Sequence, residues 1–441
     1  MKRLTLATAV LSALLFAPGC ADSQDAVTDD SNPFTEEYAD AGKEDTGYLN
    51  PDGVEVEVDI EGDAIADRGE MENAPAMLAQ FALTELRNRG VMYLESLAED
   101  TAGVTRAEWL IDGQWKFNAD VPANATRKRW RIRGVNAVAL FGQATAAKLG
   151  ATYTSKVPLQ PFTVYADAGT KCADNNDHIG LSQDVYWYRW EPSGICTIPT
   201  QDLKLTVSKA GASATTKLYP EYDRLLADKK FTAVMIFGQV GDGAIDPNDL
   251  GMRQARSYAS KLVTAKFKEV PGPVGRRFEK TVAGNLVQID VYAPTDFSGL
   301  GDFAHFGNFQ KAISEHEFIS YAGHSMLGAS DFWARPTYPN FYQIMMYGGC
   351  LGYEYYVRPI LHGKGDSWKN LDMISSVVEV SAAADEYAVA LSKIIYAIGH
   401  GSKSSWRDIL VAIRANVGDS TFGVSGVRDN CYTPTGSRCS R

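Results

Sequence analysis

From residue 231 onward, short apolar runs alternate with amphipathic stretches. That alternation predicts strands and helices in turn, the pattern of a parallel sheet covered by helices. Strands are expected over 231–239, 285–292, 318–322, 341–347 and 373–380, with helices over 248–266, 303–315, 382–398 and 404–415. Upstream the pattern changes. Met77, Phe81, Leu83, Leu86, Met92 and Leu94 recur at helical spacing within 75–98. Between 104 and 220, runs rich in Trp, Tyr, Val and Thr are broken by Gly, Pro, Asn and Asp, which predicts short strands. Examples are 108–111, 129–132, 185–190 and 203–207. The expected fold class is α/β: a mostly parallel sheet flanked by helices over 231–420, preceded by a strand-rich mixed domain over 73–220. Residues 421–441 form a C-terminal tail. No internal repeat is evident.

Composition narrows the class. The chain has 441 residues, 45% hydrophobic and 22% charged, enough for two or three domains with sizeable cores. Apart from 4–17, no apolar run is long enough to cross a bilayer, which excludes a polytopic membrane protein. The net charge of −11 is unevenly spread. Eighteen acidic residues fall between Asp22 and Glu72 against only Lys43 and Arg68, a local balance of −16. Lys2 and Arg3 add +2, so +3 remains for 73–441. A nearly neutral folded part offers no electrostatic footprint for nucleic acid.

Lys2 and Arg3 followed by the apolar stretch 4–17 make an export signal. Ala17-Pro18-Gly19-Cys20 resembles the lipobox of bacterial lipoproteins, which implies a signal peptide over 1–20 and lipidation of Cys20. Pro18 and the absence of Leu at the third position before the cysteine depart from the commonest pattern, and an ordinary secreted protein is the alternative. The expected location is the bacterial outer membrane or cell surface, or the periplasm, held to membrane by lipid alone. Residues 21–72, acidic and poor in large apolar side chains, read as a disordered tether.

Export permits disulfides. Of the six cysteines, Cys172 and Cys196 bracket a turn-rich loop, and Cys431 and Cys439 flank Pro434 and Gly436. Both spacings suit local bridges. With Cys20 acylated, Cys350 is the sulfur left over. Its bland reading is an inert buried cysteine.

The location of Cys350 gives it interest. Phe318-Ile-Ser-Tyr-Ala-Gly-His324 is an apolar run ending in Gly-His, and Ile344-Met-Met-Tyr-Gly-Gly-Cys350 is the next one, ending in Gly-Cys. In an open α/β sheet, ligands sit beyond the carboxyl ends of the strands. Parallel neighbours would bring His324 and Cys350 to the same rim, where an imidazole can activate a thiol. Glycine beside each would let a substrate backbone approach and leave main-chain N–H groups for an oxyanion.

This ordered pair resembles the caspase-like (clan CD type) cysteine peptidases, among them caspases, metacaspases, legumain, clostripain and the gingipains. The resemblance covers about 231–400. It implies a peptidase acting on peptides or proteins without a cofactor, with His324 and Cys350 catalytic. Gly323 and the Cys350 amide, with Gly349 beside it, would form the oxyanion site. Three positions depart from the pattern. Ser325 replaces the glycine usual after the histidine, the His-to-Cys segment is short, and Gly348 stands where several members carry an acidic residue that selects basic side chains. The competing expectation is an inactive caspase-like surface lipoprotein that binds through its strand-rich domain.

Other motifs weigh less. Asp242-Gly-Ala-Ile-Asp-Pro-Asn-Asp249 imitates half an EF-hand loop, but Gly238 and Val240 would fall at ligand positions, leaving a helix-capping turn or a looser calcium site. Asp174-Asn-Asn-Asp177 reads as a turn. His305, His316 and His324 lack the i, i+4 spacing of a helical zinc site, so metal hydrolysis is a third, weaker possibility. His400 follows a helical stretch and reads as a helix end.

Overall fold

The computed structural model describes residues 47–65, 71–97, 104–164, 171–172, 190–194, 196–210, 217–325, 332–333, 335–383, 385–418 and 420–439. The signal sequence with Cys20, the turn at 174–177 and most of the expected strand 185–190 lie outside these residues.

The carboxyl-terminal half carries an eight-stranded mixed sheet. Its centre is five adjacent parallel strands: β8 (Lys230–Phe237), β11 (Asn285–Tyr292), β12 (Phe318–Ala322), β13 (Gln343–Tyr347) and β14 (Leu371–Ser376). Their spatial order is β11-β8-β12-β13-β14. Antiparallel strands close both edges, β10 (Arg276–Val282) and β9 (Lys268–Val270) beside β11, and β15 (Phe422–Ser425) beside β14. The expected α/β class therefore holds, with a mixed sheet that reaches residue 425, past the expected boundary at 420.

Alternation along the strands sorts side chains to two faces. Phe231, Ala233, Met235 and Phe237 point to one, where they pack with Ile344, Met346 and the helices Leu250–Thr264, Glu386–Gly399 and Trp406–Val417. Val234, Ile236, Ile319, Tyr321, Met345 and Tyr347 point to the other. They meet the helix Phe306–Glu315 and two short helices just after Cys350, Gly352–Tyr355 and Val357–Gly363.

The amino-terminal part is an antiparallel sheet in the order β4 (Gln114–Phe117), β3 (Ala107–Ile111), β5 (Arg129–Ala139), β1 (Val54–Asp63), β7 (Thr200–Ala210) and β6 (Thr152–Pro158). In addition, β2 (Tyr93–Leu94) pairs with β5, and the helix Ala74–Asn88 packs on the sheet. It shares one continuous apolar core with the face that carries Tyr347 and Cys350. Buried polar contacts reinforce the join. Arg87 pairs with Glu354 at 3.1 Å, Gln80 donates to the Tyr355 hydroxyl at 2.7 Å, and the Tyr353 hydroxyl donates to Glu55 at 2.9 Å.

One expectation is overturned here. Residues 54–63 belong to no tether: Val54–Asp63 is strand β1, between β5 (Arg129–Ala139) and β7 (Thr200–Ala210). Val56, Val58 and Ile60 alternate inward, while Glu57 pairs with Lys209 and Glu61 with Arg129. A period-two pattern had been hidden by acidic composition, because the outward positions are answered by basic residues far away in sequence. Residues 47–50 are also engaged, Leu49 bridging to Val424 of β15.

Candidate functional site at the strand ends

β8 and β12 are neighbours in space, and β11 lies on the other side of β8, so the strand order reverses direction here. Such a switch point opens a crevice beyond the carboxyl ends. A narrow cleft lies there, lined by Val240, Gln254, Ala322, Gly323, His324, Gly348, Cys350, Val380, Ser381, Ala382 and Glu386. The space open to the centre of a water molecule is about 20 Å³, room for a single water. Three strand ends, those of β8, β12 and β13, thus contribute to one cleft.

His324 Nε2 lies 2.8 Å from the Val240 carbonyl oxygen. A carbonyl only accepts, so Nε2 carries the proton and Nδ1 is left as the basic nitrogen. Val240 is held in turn by Asp249, whose carboxylate accepts from Val240 N at 3.0 Å, Gly241 N at 2.7 Å and Gly251 N at 2.8 Å. Asp249 is the N-cap of the helix Leu250–Thr264. The acidic motif at 242–249 is therefore a capping turn whose last carboxylate fixes the loop that orients His324. Gly251 permits the approach, since a Cβ there would lie 1.9 Å from the Gly238 carbonyl oxygen.

The strand ends are tied together by Ser325, the residue after His324. Its buried hydroxyl donates to the Cys350 carbonyl at 2.7 Å and lies 2.8 Å from the Tyr347 hydroxyl. The β12–β13 ladder reaches as far as Gly348 N–H on the Tyr321 carbonyl, 2.7 Å, so Gly323 and Gly349 lie beyond that rung.

The glycines have a packing reason that the sequence concealed. A Cβ on Gly323 would sit 2.6 Å from the Tyr321 hydroxyl, one on Gly348 2.8 Å from the Tyr321 carbonyl, and one on Gly349 2.4 Å from Ser325 Oγ. Gly323 and Gly348 line the cleft, whereas Gly349 is buried behind it, against Ser325 and Tyr347.

Cys350 corrects the cysteine arithmetic. Cys172–Cys196 and Cys431–Cys439 are both bridged, as their spacing suggested. Cys350 is no leftover thiol, however: it is disulfide-bonded, its partner lying outside the described residues. It is 3% exposed, and its sulfur is 3.8 Å from the Val380 carbonyl oxygen. Segment 378–382 covers it, anchored by Leu351 N–H on Val378 O at 3.1 Å and by the Gln254 amide on Ala382 O at 2.7 Å.

The other histidines are engaged elsewhere. His305 Nδ1 contacts Asp302 at 2.9 Å, buried His316 contacts Asp290 at 3.2 Å, and His400 caps its helix while stacked on Tyr396. Among the described residues, no three His, Cys, Asp or Glu side chains converge as metal ligands would. Sequence reasoning had not connected Val240 or Glu386 with the site. For Val240 the signal was present in the capping motif that ends at Asp249. No family model, curated protein or solved structure matches the chain.

Proposed function

We propose that the protein is a cysteine endopeptidase of the caspase-like kind, competent when Cys350 is reduced. The observation that carries this reading is the carbonyl-held His324 sharing a cleft with Cys350 at the ends of adjacent parallel strands. A two-electron reductant of the thiol or dithiol class opens the Cys350 disulfide. Nδ1 of His324 takes the proton from Sγ, and the thiolate adds to the scissile carbonyl carbon. Main-chain N–H groups at Gly323 and Cys350 face the oxyanion, with Gly349 supporting the turn. The imidazolium then protonates the leaving amine, and water hydrolyses the thioester to release the acid and the thiol. The same reading takes 1–20 as a lipoprotein signal and Cys20 as the lipid anchor, placing the enzyme on a bacterial outer membrane or cell surface. In the lipidated form the other four cysteines are bridged to each other and Cys350 is a thiol, so the reduction step belongs to the chain without lipid on Cys20.

The test uses the full chain, with and without a dithiol reductant. Iodoacetamide labelling of Cys350 is followed by mass spectrometry in wild type and H324A, alongside cleavage of a mixed peptide library. For the chain without lipid on Cys20, faster labelling in wild type and cleavage only after reduction are expected. Equal labelling with no cleavage overturns the reading. The result would then favour a second reading, a non-enzymatic binding protein. The buried, bridged state of Cys350 supports that alternative.

A further inference from the structure

Besides His324 and Cys350, one ionisable side chain lines the cleft among the described residues: Glu386. It is 1% exposed and is the first residue of the helix Glu386–Gly399. The positive end of that helix favours a carboxylate there. A carbon placed on Gly348 would lie 3.1 Å from Glu386 Oε1, so the carboxylate reaches the edge of β13, two residues from the sulfur. The rest of the wall is short or neutral: Ala322, Gly323, Gly348, Ser381 and Ala382.

We infer that Glu386 selects substrates with lysine or arginine immediately before the scissile bond. This rests on the peptidase reading above and names its substrate class. A buried carboxylate in a cleft of small neutral residues favours an incoming cation and penalises an incoming anion. The aliphatic stem of Lys or Arg packs along Val240, Ala322 and Val380 while its head meets the acid. A carboxylate has about four acceptor positions, so being held by neighbours and receiving a cation are compatible. Room for that side chain requires segment 380–382 to move outward, since the present opening admits about one water. Its tie to Gln254 is the contact that must give way.

The test compares peptides identical except for Lys, Arg, norleucine or Asp before the scissile bond, using the reduced full chain. Lysine and arginine peptides are expected to exceed norleucine about thirtyfold or more in kcat/KM, and Asp to be the poorest. E386Q is expected to narrow the Lys-to-norleucine ratio at least about tenfold. Cleavage of norleucine and lysine peptides at similar rates by wild type overturns this inference and leaves the peptidase reading standing. No cleavage of any peptide overturns both. If E386Q fails to fold, the wild-type ratio alone still decides.

Discussion

Gly349→Ala tests whether packing sets the glycine beside Cys350. The added methyl would start 2.4 Å from Ser325 Oγ and 2.8 Å from Tyr347 Cε1. Tyr347 cannot swing away freely, because it is stacked on Tyr356 at 4.5 Å and meets Trp333 edge-on at 5.6 Å. Overpacking of this kind costs about 1–3 kcal/mol. Ser325→Ala alone removes the donor to the Cys350 carbonyl and the partner of the Tyr347 hydroxyl, a loss of about 1–3 kcal/mol. In the double variant the worst contact is gone, so the two costs should fall short of adding by about 1 kcal/mol. Urea unfolding of the wild type, both single variants and the double variant measures this coupling. Strict additivity, or a Gly349→Ala variant as stable as wild type, would refute the packing account and return the glycine to a role in substrate approach.

Three further outcomes follow from the described contacts. Burial pushes the Glu354 carboxyl up to about 8 despite Arg87 beside it. The folded state then holds a proton that the unfolded chain releases near 4.5, so stability should fall as pH rises from there to about 8, at up to about 1.4 kcal/mol per pH unit. E354Q should flatten that part of the melting-temperature profile, and an unchanged slope would count against it. D249A removes a helix cap worth about 1 kcal/mol and frees the Val240 loop, so it should lower the melting point and slow alkylation of reduced Cys350. Unaltered alkylation would mean that the loop does not orient His324. A chain starting at residue 73 lacks β1, so circular dichroism should show it without a cooperative melt; a native-like transition would show that β1 is dispensable.

Much of the fold could be read from residues 230 onward, because buried parallel strands are continuous apolar runs and their helices are amphipathic. β8, β11, β12 and β13 and four helices fall close to their expected positions. The rest depended on partners distant in sequence. β1 looked like a solvated acidic segment until Lys209 and Arg129 were seen opposite its glutamates. The helices Gly352–Tyr355 and Val357–Gly363 were missed because they are short and mostly buried, Tyr353 and Tyr355 in one and Val357, Ile360 and Leu361 in the other, leaving too little polar face to set an amphipathic stripe. At the site, His324, Gly323 and Cys350 do share a cleft, as strand ends in adjacent register require. The bonded state of Cys350 could not be read from a count of cysteines alone. The carbonyl behind His324 comes from main chain, so its only signal in the sequence was the neighbouring capping motif that ends at Asp249.

The pairing of Leu49 with Val424 has a bearing on how this molecule is made. Asn50 also donates to the Ser420 and Phe422 carbonyls, and Tyr48 to those of Ser375 and Thr421. The edge of the larger sheet is thus completed by a segment meeting one synthesised 370 residues after it. No nascent chain can close that seam before Val424 has emerged, and such distant pairings slow assembly. A protease that cuts near residue 50 would unzip the same seam, loosening β15 and then β14 at the edge nearest the strand that leads to Cys350.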